Sequence, residues 1–501
     1  MKKTIFLVLT LHNYVTCLSQ APTIHSEIYQ PDNSGYGLSF TTRNLLDFFG
    51  VPLLNAGSYG VIDLYDGSDN RIHSHTLTPT TSMSFYQAQQ QFDNGNWAMA
   101  SIYIDENEIT TEHSLYDSSL NTIVNLYELG ARPDIHGIGW VDDNKYIYFE
   151  NVYDTINFYN PPAITDASDW QTLGHNIVII DLDDTSKTTI FDWFATIPKT
   201  MIVPEYFREG DIGSNTIDWG HPNWIEKDFD GGFLVSWRHL GMMKIDVEGN
   251  VQWFGGLPSG MAAAHGFSEL TGIRTRLQHN LKPYPNKPNH YSVFDNGDLD
   301  RDSSRALFFS VDALSATVEK EKWYPYSPFM GSVDVNRYNE SWSVNIPLID
   351  SSLTMSTIAS WIPGNALDSI SPFMDNMGSH IYNYTNDGNL MSHYWTDSMT
   401  YIYSTQLVKI ANPVVTDVNS SGSLSTLTVK AYPNPTDNLL HIESNHEVKY
   451  ADVYDINGRL LLSKKLHRSN TILDVKQFKS GTYFVHLFGD FEMERLRFVK
   501  E

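Results

Sequence analysis

The chain has 501 residues, 41% of them hydrophobic and 13% aromatic, enough for a large closed fold plus a small appendage and too apolar for a disordered chain. Its 33 basic and 59 acidic residues give a formal net charge of -26. A surface that acidic repels nucleic acid and anionic lipid, so neither is expected as a partner, and any local cluster of arginine and histidine stands out against the field.

Residues 1–19 read as a signal peptide. Lys2 and Lys3 form a basic start, Thr4 to Thr16 is mostly apolar but too short to span a bilayer, and Cys17-Leu18-Ser19 suits cleavage before Gln20. Cys17 is the only cysteine, so the mature chain is expected to hold none. That excludes disulfides, thiol catalysis and cysteine metal sites. No later apolar run is long enough for a transmembrane segment.

Residues 20–410 repeat one pattern: a short alternating strand, a tight Asp/Asn-Gly turn, then another alternating strand. Examples are Asp66-Gly67, Asp93-Asn94-Gly95, Asp230-Gly231, Glu248-Gly249-Asn250 and Asp387-Gly388. Such turns need positive φ, which glycine and asparagine tolerate, and they join antiparallel neighbours. Around one of them Ile245, Val247, Val251 and Trp253 alternate with period two. Many hairpins with few helical patterns between them predict an all-β fold, a propeller in preference to a long antiparallel solenoid.

Residues 411–426 form a polar, small-residue linker that includes Asn419-Ser420-Ser421-Gly422-Ser423. Residues 427–501 then read as a small antiparallel β-sandwich with an Asn457-Gly458 hairpin at its centre. Tyr432-Pro433-Asn434-Pro435, Tyr454-Asp455-Ile456-Asn457-Gly458-Arg459 and Gly481-Thr482-Tyr483 occur in it in that order. Together they closely resemble the C-terminal sorting domain of type IX secretion cargo. The resemblance implies export through the periplasm, the type IX machinery as a partner, and a secreted or cell-surface destination.

Four segments of the body place histidine, arginine and asparagine at predicted strand ends, where propeller loops converge on the axis. They are Asp134-Ile135-His136-Gly137, Asp218-Trp219-Gly220-His221-Pro222-Asn223, Val235-Ser236-Trp237-Arg238-His239 and Leu277-Gln278-His279-Asn280. Any one alone fits a buried structural histidine. The ordered set, with Asp246-Val247-Glu248-Gly249 before Trp253 and Asp295-Asn296-Gly297 before Ser304-Arg305, resembles the arylsulfotransferase family. That family is a propeller of enzymes moving a sulfuryl group between phenols without a nucleotide sulfate donor. The resemblance runs from about His136 to Arg305, and more loosely out to Gly388, and implies six blades; no cofactor and no metal are expected. It also implies an aryl sulfate donor and a phenolic acceptor. It assigns His279 as the nucleophile, Arg238 as a donor fork to the sulfate oxygens, and His221 with Asn223 as the rest of the oxyanion cradle. His136 would act as acid or base toward the phenol.

Two departures stand out. The family often has His-Asp at its first histidine, where here Gly137 follows His136, and the N-terminal β-domain of some members is not evident. Two further readings stay open on the residues alone. Three histidines on one axis could hold a catalytic zinc, although a guanidinium beside a dication is repulsive. A propeller of this kind could also be a non-catalytic binder of carbohydrate or of a surface partner.

Overall fold

The computed structural model describes residues 24–29, 36–44, 60–65, 71–77, 84–92, 95–104, 109–117, 122–142, 144–156, 170–201, 212–213, 216–297, 301, 303–327, 330–337, 339–349, 378–396, 400–409, 429–454, 460–488 and 493–501. The expected signal peptide, the linker and the turns at Asp66-Gly67, Asp93-Asn94 and Asn457-Gly458 lie outside them. Among the described residues no helix is long and apolar enough to cross a membrane.

Among the described residues the body forms six antiparallel units of four strands, with a few short strands added at their edges. Blade two starts with Ser84–Gln91, blade three with Pro133–Asp142, blade four with Pro222–Lys227, blade five with His279–Pro283 and blade six with Ser332–Val335. Blade one is assembled from both ends of the body. Its Tyr36–Asn44 strand pairs on one side with Gly60–Tyr65 and on the other with the late strand Thr400–Lys409. The innermost strands touch in sequence, from Thr400–Lys409 through blades two to six and back, so the six units form a closed ring. A second closure runs the other way, because Ile24–Ile28 pairs with Leu390–Thr396 and adds an outer strand to blade six.

The stacking of blades explains the apolar runs. In Phe233–Trp237 of blade four every residue is buried. Phe233, Val235 and Trp237 pack with Ile147, Phe149 and Ile177 of blade three, whereas Leu234 packs with Leu281, Tyr291 and Val293 of blade five. Each face of the strand therefore meets a neighbouring blade, and each fully buried side chain of this size contributes roughly 1.5–3 kcal/mol. The predicted turns take the expected form: Gly231 (φ 90), Gly249 (φ 88) and Gly388 (φ 84) sit in the left-handed region.

The C-terminal part is a five-stranded antiparallel sheet, Val429–Tyr432 to Met493–Lys500, closed over a core of Leu440, Val453, Leu473, Val485 and Phe498. It is one continuous sheet, and the register of its two longest strands shifts between Glu443 and Val448 and again before Tyr450 and Tyr454.

Candidate active site

His279 opens the first strand of blade five, His221 immediately precedes that of blade four, and His136, the fourth residue of that of blade three, sets its ring on His221, so one end of the ring carries all three. Trp237 pairs with Pro222, which returns Arg238 and His239 to that same end. The backbone there is held in unusual geometry. His221 (φ 49), Leu277 (φ 54) and Asn280 (φ 60) all have positive φ, a conformation that costs a non-glycine residue on the order of 1–3 kcal/mol and clusters at functional sites.

Each histidine is oriented through its Nδ1. The His221 Nδ1 faces Asp218 Oδ2 at 2.6 Å, and the His221 backbone N–H donates to Asp218 Oδ1 at 3.1 Å. The pair repeats one blade earlier, where Asp134 Oδ1 receives both the backbone N–H and the Nδ1 of His136. Gly137 follows His136, and the carboxylate at its ring belongs to the residue two places before it. The His136 and His221 rings meet edge to face with centroids 4.9 Å apart.

The orientation of His279 follows from hydrogen-bond inventory. Asn296 Nδ2 donates to the carbonyls of Ser327 (2.8 Å) and Met330 (2.9 Å), which turns Asn296 Oδ1 toward His279 Nδ1 at 2.7 Å. The other neighbour of that nitrogen is the Leu277 carbonyl at 3.1 Å. Both partners only accept, so Nδ1 carries the proton and the lone pair of the neutral ring lies on Nε2.

The electrostatics agree. Burial, then the Arg238 guanidinium and the rings of His221 and His136, hold His279 well below the usual histidine range. Burial lowers His221 to about 4 against the opposing pull of Asp218. Burial alone would raise both carboxyls, but the imidazoles at their oxygens outweigh it. Asp134 is lowered to about 2 and Asp218 well below its ordinary value. The cluster therefore sets the neutral rings of His221 and His279 in front, ionised carboxylates behind, and one buried guanidinium, Arg238, 3% exposed.

Among the expected site residues Asn223 is tied to this cluster by its Nδ2, which donates to the Gln278 carbonyl at 2.6 Å. Its buried Oδ1 has no protein partner. Gln278 braces blades four and five, donating to the carbonyls of Trp237 (2.7 Å) and Gly241 (2.9 Å). Arg305 is bound to Asp295 and Glu321 and serves the frame of blade five. Sequence reasoning assigned no role to Asp134, Asp218 or Asn296 and did not single out His175. The repeated Asp-x-His and Asp-x-x-His spacings were the available sign of the first two. Among the described residues no group of three or more histidine, cysteine or carboxylate side chains is arranged to hold a metal ion.

Residues 160–362 match the family model described as arylsulfotransferase, and residues 430–500 match the secretion system C-terminal sorting domain. No curated protein matches. Among solved structures the chain is similar to PorZ, a surface component of the type IX secretion system of Porphyromonas gingivalis, at 12% identity with a TM-score of 0.29, over 89% of this chain and 69% of that one. It is also similar to a hypothetical selenium-binding protein from Sulfolobus tokodaii (9% identity, TM-score 0.37, 76% and 94% covered). The Dos1 propeller is a further match (9% identity, TM-score 0.31, 92% and 93% covered). The sorting domain indicates type IX secretion to the cell surface or outside. The chain thus carries an arylsulfotransferase-family region, which includes His221, Arg238 and His279, followed by a secretion-system C-terminal sorting domain.

Proposed function

We propose that the protein is a secreted aryl-sulfate sulfotransferase working through a sulfo-histidine intermediate. The observation that carries this reading is the Asn296 clamp on His279 Nδ1, which leaves the Nε2 lone pair as a neutral nucleophile beside Arg238, His221 and His136. In the first step Nε2 attacks sulfur, the N–S bond forms, the S–O bond to the aryl group breaks, and the aryl group departs as a phenolate that takes its proton from solvent. In the second step an acceptor phenol gives its proton to the imidazole of His221 or His136, which passes it to solvent. The phenol oxygen attacks sulfur, and the N–S bond breaks to restore His279.

Charge spreads over the equatorial oxygens in such a transfer, so positioned donors matter most. Arg238 supplies the planar fork. Asn223 keeps one amide N–H after its bond to Gln278 and an acceptor oxygen without a protein partner, so it can meet both a sulfate oxygen and a phenol hydroxyl. The donor is a phenolic sulfate ester and the acceptor a second phenol, with no nucleotide, metal or other cofactor in the cycle.

The test is turnover of a chromogenic aryl sulfate with and without added phenol. Release that depends on the phenol supports transfer, and release in water alone points to a hydrolase. Without acceptor, about one phenol per site should appear as a burst, with sulfate found by mass spectrometry on the peptide holding Gln278-His279. His279→Asn should abolish the burst, and Arg238→Leu should cost about 3 kcal/mol or more of transition-state stabilisation, judged from oxyanion-donor losses. Full activity in His279→Asn ends the mechanism. No turnover of any aryl sulfate by the wild type favours a binding propeller.

A further inference from the structure

Resting on the proposed function for what binds there, we infer that Tyr153 of blade three, with Leu173 beside it, is the aryl subsite of the candidate active site. It is the surface on which the ring of a phenol lies while the phenol oxygen faces His221.

The register of blade three sets the position of Tyr153. It lies on the second strand, Lys145–Ile156, directly opposite Leu173 of the third strand, Trp170–Asp181. Leu173 in turn lies opposite Asp218 of the short strand Thr216–Asp218, which runs parallel to it. Residues opposite one another in a sheet point to the same face, so Tyr153, Leu173 and Asp218 form one row across three strands. Two strand spacings, roughly 10 Å, separate the ends of that row. Side-chain bonds mark the same face two residues along. Asn151 Oδ1 meets His175 Nδ1 at 2.9 Å, and His175 Nε2 meets Asp218 Oδ1 at 3.0 Å. Asp218 is the carboxylate that holds the His221 ring at 2.6 Å, so the row ends at the reacting cluster.

Exposure rises along this face away from the cluster. His175 is buried, Leu173 is half-buried, and Tyr153 is 57% exposed. A single exposed aromatic ring is ordinary on a protein surface, and the place of this one gives it meaning. It offers an incoming ring an offset or edge-on contact, the arrangement that aromatic pairs prefer. Burial, then Asp134 and Asp218, push the Tyr153 hydroxyl above its ordinary value, so the side chain is a neutral phenol at pH 7. The same two carboxylates repel sulfate oxygens from this side, whereas the Arg238 guanidinium acts on the His221 and His279 side. A phenolic sulfate has one anionic end and one uncharged ring. The field turns the anionic end toward Arg238 and leaves the ring to Tyr153. Because the second step reverses the first, the leaving phenol and the arriving one take this place in turn.

The experiment titrates phenol and 2-naphthol into full-length protein by calorimetry, with no sulfate donor present, so that nothing turns over. Wild type, Tyr153→Ala and Tyr153→Phe are compared, and thermal unfolding checks that replacing this exposed side chain leaves the fold intact. 2-Naphthol should bind the wild type more tightly than phenol. Tyr153→Ala should lose about two- to tenfold of the naphthol affinity, the worth of one ring–ring contact, and Tyr153→Phe should keep it. In turnover of 2-naphthyl sulfate, Tyr153→Ala should raise KM by a similar factor, with the change in KM and not in kcat, because ground state and transition state make the ring contact equally. Equal naphthol affinity in wild type and Tyr153→Ala overturns the subsite, and so does a wild type that binds neither phenol or a loss confined to kcat. Turnover that is indifferent to Tyr153 sinks the subsite alone. Naphthol affinity that depends on Tyr153 in a protein without turnover sinks the sulfotransferase reading and leaves the aryl subsite standing.

Discussion

The grouping of His279, His221, Arg238 and Asn223 was legible because each sits in a short motif beside a strand end, and motifs survive in a linear sequence. The contacts of Asn296 were not, since they depend on which oxygen faces which nitrogen across the fold, and nothing local encodes that. Asn296 gives the residue-scale prediction. If its amide sets the His279 tautomer, Asn296→Ala leaves Nδ1 with only the Leu277 carbonyl at 3.1 Å and lets part of the population carry the proton on Nε2, where it blocks attack. Loss of about ten- to a hundred-fold in kcat is expected, taking the partners of metal-binding histidines as a guide. The burst should shrink in parallel, and a normal burst with slow turnover would assign Asn296 to the second step.

The pH response is set at the same scale. His279 and His221 are both lowered, and both must be neutral at the start of the cycle if one attacks and the other is to take the acceptor's proton. The acid-side fall in kcat/KM should therefore lie near pH 4 and not near the ordinary histidine value of about 6.5. Stability has the same sign. The unfolded chain binds protons at these histidines before the folded one does. Their contribution is full above about pH 6.5 and is lost as pH falls toward about 4. Denaturant midpoints measured from pH 7 down to pH 4 should fall steadily across that window.

At the level of elements, hairpins such as Asp228–Gly232 and Asp246–Asn250 were readable because their turn chemistry is local. The connection that positions His221 was not. Trp193, fully buried, inserts its ring between Gly174 and Gly220 and packs on Trp219 and Trp237 with centroids 5.6 and 4.8 Å away. A Cβ at Gly174 would stand 2.3 Å from Trp193 Cδ1, and one at Gly220 would stand 2.4 Å from Trp193 Cη2. Neither indole edge can retreat, because the ring is enclosed on all sides. Gly220→Ala should cost about 1–3 kcal/mol, the range for overpacking a core, and should lower kcat by shifting Asp218 and His221 together. Adding Trp193→Leu should restore part of the stability, since a smaller side chain makes room for the methyl. A double-mutant cycle in thermal unfolding measures the coupling, and strict additivity would show that the two residues do not share one space.

The whole molecule depends on contacts that no window of sequence displays. Thr400–Lys409 pairs with Tyr36–Asn44 across more than 350 positions, and the inner strands are latched blade to blade around the ring. Gln406 and Gln91 exchange two hydrogen bonds, of 2.6 and 2.9 Å, between blades one and two. Asp334 in blade six takes Lys282 of blade five at 2.8 Å and the Leu407 backbone N–H of blade one at 2.6 Å. Lys227 of blade four reaches the Val141 carbonyl of blade three at 2.6 Å. A ring latched in this way loses its closure when any one inner strand is removed, and a small change in where the chain is cut decides the outcome. Truncation after Ile410 keeps every one of these bonds and removes only the linker and the sorting sheet, so the protein should stay folded and active in vitro while accumulating in the periplasm. Truncation after Met399 takes away the inner strand of blade one, leaves Asp334 Oδ2 and Gln91 without their partners, and exposes the edge of Tyr36–Asn44. That shorter protein should unfold or aggregate. Thermal unfolding and aryl sulfate turnover of both truncations, with fractionation of the producing cells, separate the two roles of the C-terminal hundred residues. Normal secretion of the chain cut after Ile410 would remove the sorting assignment, and a cooperative, active protein cut after Met399 would remove the closure argument.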